Sequence, residues 1–418
     1  MDFLMNRIMP ILAKIGNNNY LVAIRDGITK TIPFTIVGSF FLIVANFPVE
    51  AWTDFIAPWS GMLSSVSNVT FSALGLITAI GVGYYMGKTF EIDAISTSLL
   101  TVISFLLATL NDDYSINPAS FDSTGMFTAI VMSLLTITVF RFCMKHEIVI
   151  KMPDGVPPNV GTSFAALIPG AIVLTIVWIL RAILGINLNE VISFVFSPLV
   201  MGLNTLPGMM LYALIVCLLW VCGIHGDNVL SGIANPIFLG LLAENVAAMQ
   251  AGAAPTNYIA EGYWIVFMCF GGTGSTLGLV LNMLHSKSKM YRELGKMSLP
   301  SAIFCINEPV IFGFPIVMNP IMMIPFIATP LILCVGTYVL MTIGFISPIS
   351  IQVPWTIPPI IGAYLATNGS IGAAIWATVE IVLSYVIYRP FFKAEEAKQV
   401  QRELDAASSE NAVVPVEN

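Results

Sequence analysis

The sequence predicts an all-α integral membrane protein, and three observations carry that prediction. Hydrophobic residues make up 57% of the 418-residue chain and charged residues only 10%, whereas a soluble domain carries ~25% charged residues. Apolar runs of spanning length recur from end to end, and the mean hydropathy is +0.87. Lysine and arginine gather in short stretches between those runs. A soluble core cannot hide so much apolar surface, because its own surface still needs polar cover. A bilayer can.

A crossing helix needs ~20 apolar residues. Runs near that length occupy 28–47, 71–86, 94–110, 126–139 and 164–184, then 209–222, 229–249, 263–284, 320–343 and 371–388. The expected count is therefore about ten. Between them, 189–206 is only partly apolar and suits a helix lying in the interface. The segments 48–70, 111–125 and 251–262 hold no Lys or Arg, while cations cluster at 7–30, 141–151, 287–296 and 389–402. By the positive-inside rule the first set is external and both termini are cytoplasmic. Lys88 fits an inner loop; Arg181, near the outer end of its span, runs against the pattern. The tail 391–418 is charged, then small and polar, and reads as a solvated, disordered end.

The texture changes near Asn187. The first half has regular spans, whereas the second is interrupted by Pro236, Pro300, Pro309, Pro315, Pro320, Pro325, Pro330, Pro354, Pro358 and Pro359. Broken apolar helices are tolerated at membrane depth only where they are buried in protein or line a cavity. In transporters they mark the binding site, so the chemistry is sought in the second half.

Several classes drop out. No basic stripe suits nucleic acid. The six cysteines lie in or beside apolar segments without metal-ligand spacing and read as small buried hydrophobes. No cleavable signal peptide is evident in the mixed, polar first twenty residues. Gly271-Gly-Thr-Gly-Ser-Thr276 lacks the lysine of a phosphate-binding loop, so close helix packing is its expected use. Nothing requires a metal or a cofactor.

Three residues stand out against the apolar background. Glu308 sits between Pro309 and an apolar run, where an ionised side chain costs at least ~2.5 kcal/mol on insertion scales. Such a carboxylate either faces a polar cavity or satisfies backbone donors freed by the prolines. His225 lies in Gly223-Ile-His-Gly-Asp-Asn228, at the end of an apolar run, beside Asp227 and Asn228. Its glycines let a ligand approach the backbone; the plainer reading is structural. Trp355, flanked by Pro354 and nearby Pro358, offers a face for a sugar ring or belongs to an interfacial aromatic belt.

Together Gly223-Ile-His-Gly-Asp-Asn228, Gly272-Thr-Gly-Ser-Thr-Leu-Gly278 and Ile306-Asn-Glu-Pro-Val-Ile-Phe-Gly-Phe-Pro-Ile-Val-Met-Asn-Pro320 resemble the lactose/cellobiose-type enzyme IIC permeases of the bacterial phosphotransferase system. The resemblance covers residues 1–393 or so. It implies a ten-span homodimer of glucose-superfamily-like architecture with two re-entrant hairpins. Residues 1–190 would form the dimerisation domain, 191–390 the substrate-binding transport domain and 391–418 the cytoplasmic tail. It implies that His225 and Glu308 face the phosphoryl-accepting hydroxyl of a β-linked disaccharide (cellobiose, lactose or diacetylchitobiose class). Asn307, Asp227, Asn228 and Trp355 would complete the sugar site.

No phosphocysteine or phosphohistidine module is evident, so the donor would be a separate cytoplasmic enzyme IIB charged by IIA. The chain would then be the membrane component of a protein-phosphocysteine–sugar phosphotransferase. The competing class is a proton- or sodium-coupled secondary sugar transporter, in which Glu308 and His225 would carry the proton.

Overall fold

The computed structural model describes residues 14, 18–46, 50–153 and 158–413. The expectations for residues 1–13 and 414–418 lie outside that set. Among the described residues the regular elements are all helical. In chain order they are α1 (Asn19–Thr29), α2 (Ile32–Ala45), α3 (Glu50–Ser72), α4 (Leu74–Thr89), α5 (Ala94–Ala108), α6 (Met126–Lys145), α7 (Pro158–Ala165), α8 (Leu167–Trp178) and α9 (Leu188–Leu203). There follow α10 (Leu206–Val221), α11 (Gly226–Gln250), α12 (Tyr263–Met268), α13 (Leu277–Leu284), α14 (Lys289–Ile303), α15 (Glu308–Gly313), α16 (Pro320–Thr342), α17 (Pro359–Ala366) and α18 (Ile371–Val413). Among the described residues six helices are long and apolar enough to cross a membrane, or up to eight if each of two bent pairs is one crossing.

Three expectations change. The supposed external loop 48–70 contains α3, whose exposed Phe55, Trp59, Met62 and Val69 recur on one helical face; its serines and Asp54 had masked that period. The supposed single span 263–284 is broken into α12 and α13. Between them Gly271, Gly272, Gly274 and Ser275 all take positive φ, which no helix sustains. The tail expected to be disordered continues α18 as helix to Val413.

The chain folds as two compact units: the described part of Met1–Thr205 with Asp227–Glu261 and Ser350–Gln352, and Leu206–Gly226 with Gly262–Ile349 and Val353–Asn418. The expected cut at residue 190 differs from this, because α9 and α11 both fall in the first unit. That unit packs Ala79, Phe105, Ala108, Ala129, Met132 and Val177 in one core with Leu188 and Ile192. Arg181, the exception to the charge pattern, is buried there in a π turn (Ile179–Ile183). It donates to the Leu110 carbonyl at 2.8 Å and to Asp112 at 2.8 Å, pinning the 110–112 corner rather than reporting topology.

In the second unit α10 packs on α16, α13 packs on both α14 and α18, and α16 and α17 pack on α18. The irregular loop 269–276 is buried with its polar groups satisfied. Ser275 donates to Met268 O at 2.6 Å and Thr276 to Gly271 O at 2.6 Å. From α18, Tyr388 donates to Gly274 O at 2.7 Å, and Ser384 donates to Ser275 O. Unpaired carbonyls at that depth would each cost several kcal/mol. Gly278 lets the two helices touch: a Cβ there would lie 2.3 Å from the Tyr385 backbone nitrogen.

Candidate functional site

Four segments of the second unit converge on the residues singled out by sequence. After α10 the chain turns at Gly223 (φ +80°), closed by Gly223 N–H to Trp220 O and Ile224 N–H to Leu219 O, both 2.9 Å. The turn leaves His225 exposed, its ring 4.3 Å from that of buried Trp220. The Met318 amide donates to Val221 O at 2.9 Å. That bond joins the His225 turn to the stretch that follows α15, the helix that begins with Glu308.

Helix α14 ends at Ile303, and the chain reverses through Cys305 (φ +61°). Asn307 then starts α15, its carbonyl accepting from the amides of Val310 and Ile311 at 2.9 Å each. Its side chain does not cap that helix. Instead it is buried, 4% exposed, and donates Nδ2 to the Thr273 carbonyl at 2.7 Å. Only glycine fits opposite it: a Cβ on Gly272 (φ +96°) would stand 2.3 Å from Asn307 Cγ. The glycine-rich loop and the Glu308 turn are thereby latched together.

Glu308, the first residue of α15, is exposed, while Val310, Ile311 and Phe314 turn inward. Phe314 packs on Tyr291 of α14 and Phe392 of α18, with ring centroids 4.7 and 5.9 Å away. The carboxylate is thus presented by a short helix whose apolar side is anchored. Cys305 Sγ lies 3.6 Å from Ile357 O, which brings the 353–358 segment against the same turn. Within it the Ile357 amide bonds Pro354 O at 3.1 Å, and Trp355 remains 53% exposed.

His225, Asn307, Glu308 and Trp355 therefore belong to one unit and to segments in contact. Asp227 and Asn228 stand on the first turn of α11, in the other unit. Sequence reasoning missed the supports Ser384 and Tyr388. With Glu380 they recur every four residues on an apolar helix, a polar stripe that periodicity exposes. Among the described residues no group of three His, Cys, Asp or Glu is placed to hold a metal ion. A cavity of about 400 Å³ in the first unit, lined in part by Asn68, Asp122, Glu244 and Gln250, contains none of the predicted site residues.

What such a site can do is bind an uncharged polyol and act on its hydroxyl. An exposed carboxylate and imidazole accept and donate hydrogen bonds, and an indole face stacks on C–H surfaces. Residues 25–330 match the family model "Phosphotransferase system, EIIC". The chain is 37% identical to the lichenan permease IIC component of Bacillus subtilis (strain 168), over 97% of this chain and 95% of that one. It is 35% identical to the cellobiose-specific EIIC component of Geobacillus stearothermophilus, over 97% of each. The crystal structure of the transporter ChbC, the IIC component of the N,N'-diacetylchitobiose-specific phosphotransferase system, superposes with a TM-score of 0.92 at 36% identity. The superposition covers 96% of this chain and 99% of that one.

Proposed function

The chain belongs to the phosphotransferase system EIIC family, and on that premise we propose that it imports a β-linked disaccharide of the cellobiose, lactose or diacetylchitobiose class across the bacterial cell membrane, coupled to phosphorylation by a separate phospho-enzyme IIB. The observation that carries this is the latched turn: Asn307 is tied to Thr273 so that the next residue, Glu308, stands exposed on an anchored helix start. Relatives named for lichenan, cellobiose and diacetylchitobiose support the β-linked class.

The proposed architecture is a homodimer of about ten spans per protomer, both termini cytoplasmic. The segments around 269–276 and 303–320 form the two re-entrant hairpins. Sugar is held by Glu308, His225 and Trp355, with Asn307 positioning the turn. In the transfer step the sugar hydroxyl oxygen attacks the phosphorus of the IIB phosphocysteine. The O–P bond forms, the S–P bond breaks with its electron pair leaving on the thiolate, and the hydroxyl proton passes to the Glu308 carboxylate. His225 orients the hydroxyl or stabilises charge on the phosphoryl group in flight.

Glu308→Gln tests the reading. An amide keeps shape and hydrogen bonding but loses basicity. Positioned acid–base groups contribute ~100- to 10,000-fold in rate, against ~1.5–3 kcal/mol for one charged hydrogen bond in binding. Sugar phosphorylation by phospho-IIB should collapse while sugar affinity weakens modestly; His225→Ala should weaken both. Near-parental phosphorylation by Glu308→Gln would reduce Glu308 to a residue that satisfies backbone donors. Uptake driven by a proton gradient, with no response to phospho-IIB in the parent, would return the chain to the secondary-transporter class.

A further inference from the structure

The long helix α18 does more than cross a membrane. Beyond its apolar part it continues alongside the start of α14, and two glutamates seven residues apart grip that start. Glu396, 4% exposed, accepts from Ser286 Oγ at 2.8 Å and from the Lys287 amide at 2.7 Å. Glu403 accepts from Ser288 Oγ at 2.6 Å and from the amides of Lys289 and Met290 at 3.1 and 3.3 Å. Gln399 Nε2 adds a contact to Met290 Sδ at 3.3 Å. The free amides at the start of α14 are thereby satisfied by carboxylates; Glu395 and Glu396 are buried and Glu403 half-buried, while Asp405 is exposed.

The consequence is that several cations near this turn are left without a carboxylate partner. With Glu396 and Glu403 occupied, the cations nearby divide into two sets. Lys393, Lys398 and Lys296 pair with Glu396, Glu395 and Glu293; Lys296 holds the Glu293 carboxyl below the usual carboxylate range through its hydrogen bond and charge. Lys289, Arg292 and Arg402, like Lys287 just before them in the gripped segment, are exposed and form no ion pair among the described residues. Arg402 follows the Gln399 contact and precedes Glu403, and it acts electrostatically on Tyr291, so the three cations flank one gripped turn. Exposed Met290 and Met297 (52% and 76%) give the same helix apolar contact area. The far end of α14 leads within five residues to Glu308.

We propose that this gripped turn, with Lys289, Arg292 and Arg402 at its rim, is the docking surface for phospho-enzyme IIB. The inference rests on the permease reading above. Charge decides the occupant: a partner carrying a doubly anionic phosphoryl group meets unpaired cations, and cations at a rim steer encounter more than they hold the complex. Mechanics agrees, since a partner seated here rests on the helix that carries the Glu308 turn.

The test uses the full chain in nanodiscs of uncharged lipid, supplied with phospho-IIB of a cellobiose-specific system regenerated by its IIA. In the variant Lys289→Glu/Arg292→Glu/Arg402→Glu the half-saturating phospho-IIB concentration should rise about 10-fold or more. Turnover at saturating phospho-IIB and sugar affinity should stay parental, and the salt dependence of the parent should flatten. Lys145→Glu, an exposed cation ending α6, should change none of these. A photo-crosslinker at Arg292 should capture phospho-IIB, and one at Lys145 should not. Unchanged half-saturation in the triple variant overturns the proposal, as does an equal rise from Lys145→Glu, which would report net charge alone. Loss of sugar binding without crosslinking at Arg292 overturns it too, as does an effect confined to anionic vesicles, which would assign the patch to lipid headgroups. A parent that crosslinks IIB yet phosphorylates no sugar sinks the transfer reading and leaves the docking surface standing.

Discussion

Asn307→Asp separates two roles that the sequence left merged. The amide is 4% exposed and its Nδ2 lies 2.7 Å from Thr273 O. Aspartate has the same shape, so neither a cavity nor a collision contributes. What changes is one donor, replaced by an oxygen aimed at another oxygen. Leaving the Thr273 acceptor unsatisfied costs ~1–3 kcal/mol, and a buried unpaired carboxylate costs several kcal/mol more. Release of the latch frees the glycine-rich loop from the turn that starts α15, and Glu308 moves with it. Thermal unfolding of the purified protein should shift down by several degrees, at ~2–4 °C per kcal/mol for chains of 150–250 residues. Sugar affinity and phosphorylation should fall together. Asn307→Ala, which loses the bond without the repulsion, should fall between the parent and the aspartate. Parental thermal stability with sugar affinity lost would refute the latch and make Asn307 a direct sugar ligand.

Gly272→Ala attacks the latch from the other side. Its Cβ would stand 2.3 Å from Asn307 Cγ at φ +96°, a backbone strain of ~1–3 kcal/mol before any clash, and binding measured by calorimetry should weaken more than for Gly252→Ala in the 251–262 loop. Thr337→Val removes a partner from buried Glu380 and from half-buried Trp376, because Thr337 Oγ1 donates to Glu380 at 2.9 Å and accepts from Trp376 Nε1 at 2.9 Å. At ~1–3 kcal/mol for a buried group left without its partner, the unfolding temperature should drop clearly with sugar specificity unchanged; an unchanged temperature would show that Thr337 does not satisfy them. Cysteines placed at Lys287 and Gln401 should react with an impermeant reagent only from the cytoplasmic side, and external labelling would reverse the orientation.

Much of the candidate site was legible because it breaks the rules of its surroundings. A carboxylate, a histidine and clustered prolines are conspicuous in apolar sequence, and His225, Glu308 and Trp355 were singled out as candidates that way. The role of Asn307 was not legible, because an asparagine beside a glutamate looks equally like a ligand or a brace. The bond to the Thr273 carbonyl supports the brace, and no feature of the sequence announces it. The fold was readable where an apolar run coincided with one helix, as in α6, α11 and α16. It failed where polar residues hid a helical period, in α3, and where positive φ at Gly271, Gly272 and Gly274 split an apolar run that composition read as continuous. The tail failed for a third reason. Its order comes from Glu396 and Glu403 binding a turn more than a hundred residues earlier in the chain, and no local propensity shows that.

These supports share one source. The loop 269–276 is held by Ser384 and Tyr388, the second half of the broken span by Asn282 donating to Tyr385 O at 2.9 Å, α16 through Thr337 and Glu380, α15 through Phe392, and α14 through Glu396 and Glu403. Every one of those partners lies on α18. A site built on irregular segments has few backbone bonds of its own, so its geometry must be fixed by a rigid neighbour. Here a single 43-residue helix is that neighbour, from Glu380 to Glu403. The loops proposed to face sugar and the turn inferred to face IIB are therefore indexed to the same rod. A substitution that bends α18 between Ser384 and Glu396 should then disturb sugar affinity and phospho-IIB saturation together. Pro390, already in that interval, makes the helix most easily altered there. Pro390→Ala with either property changed alone would show that the two ends are not carried by a common helix.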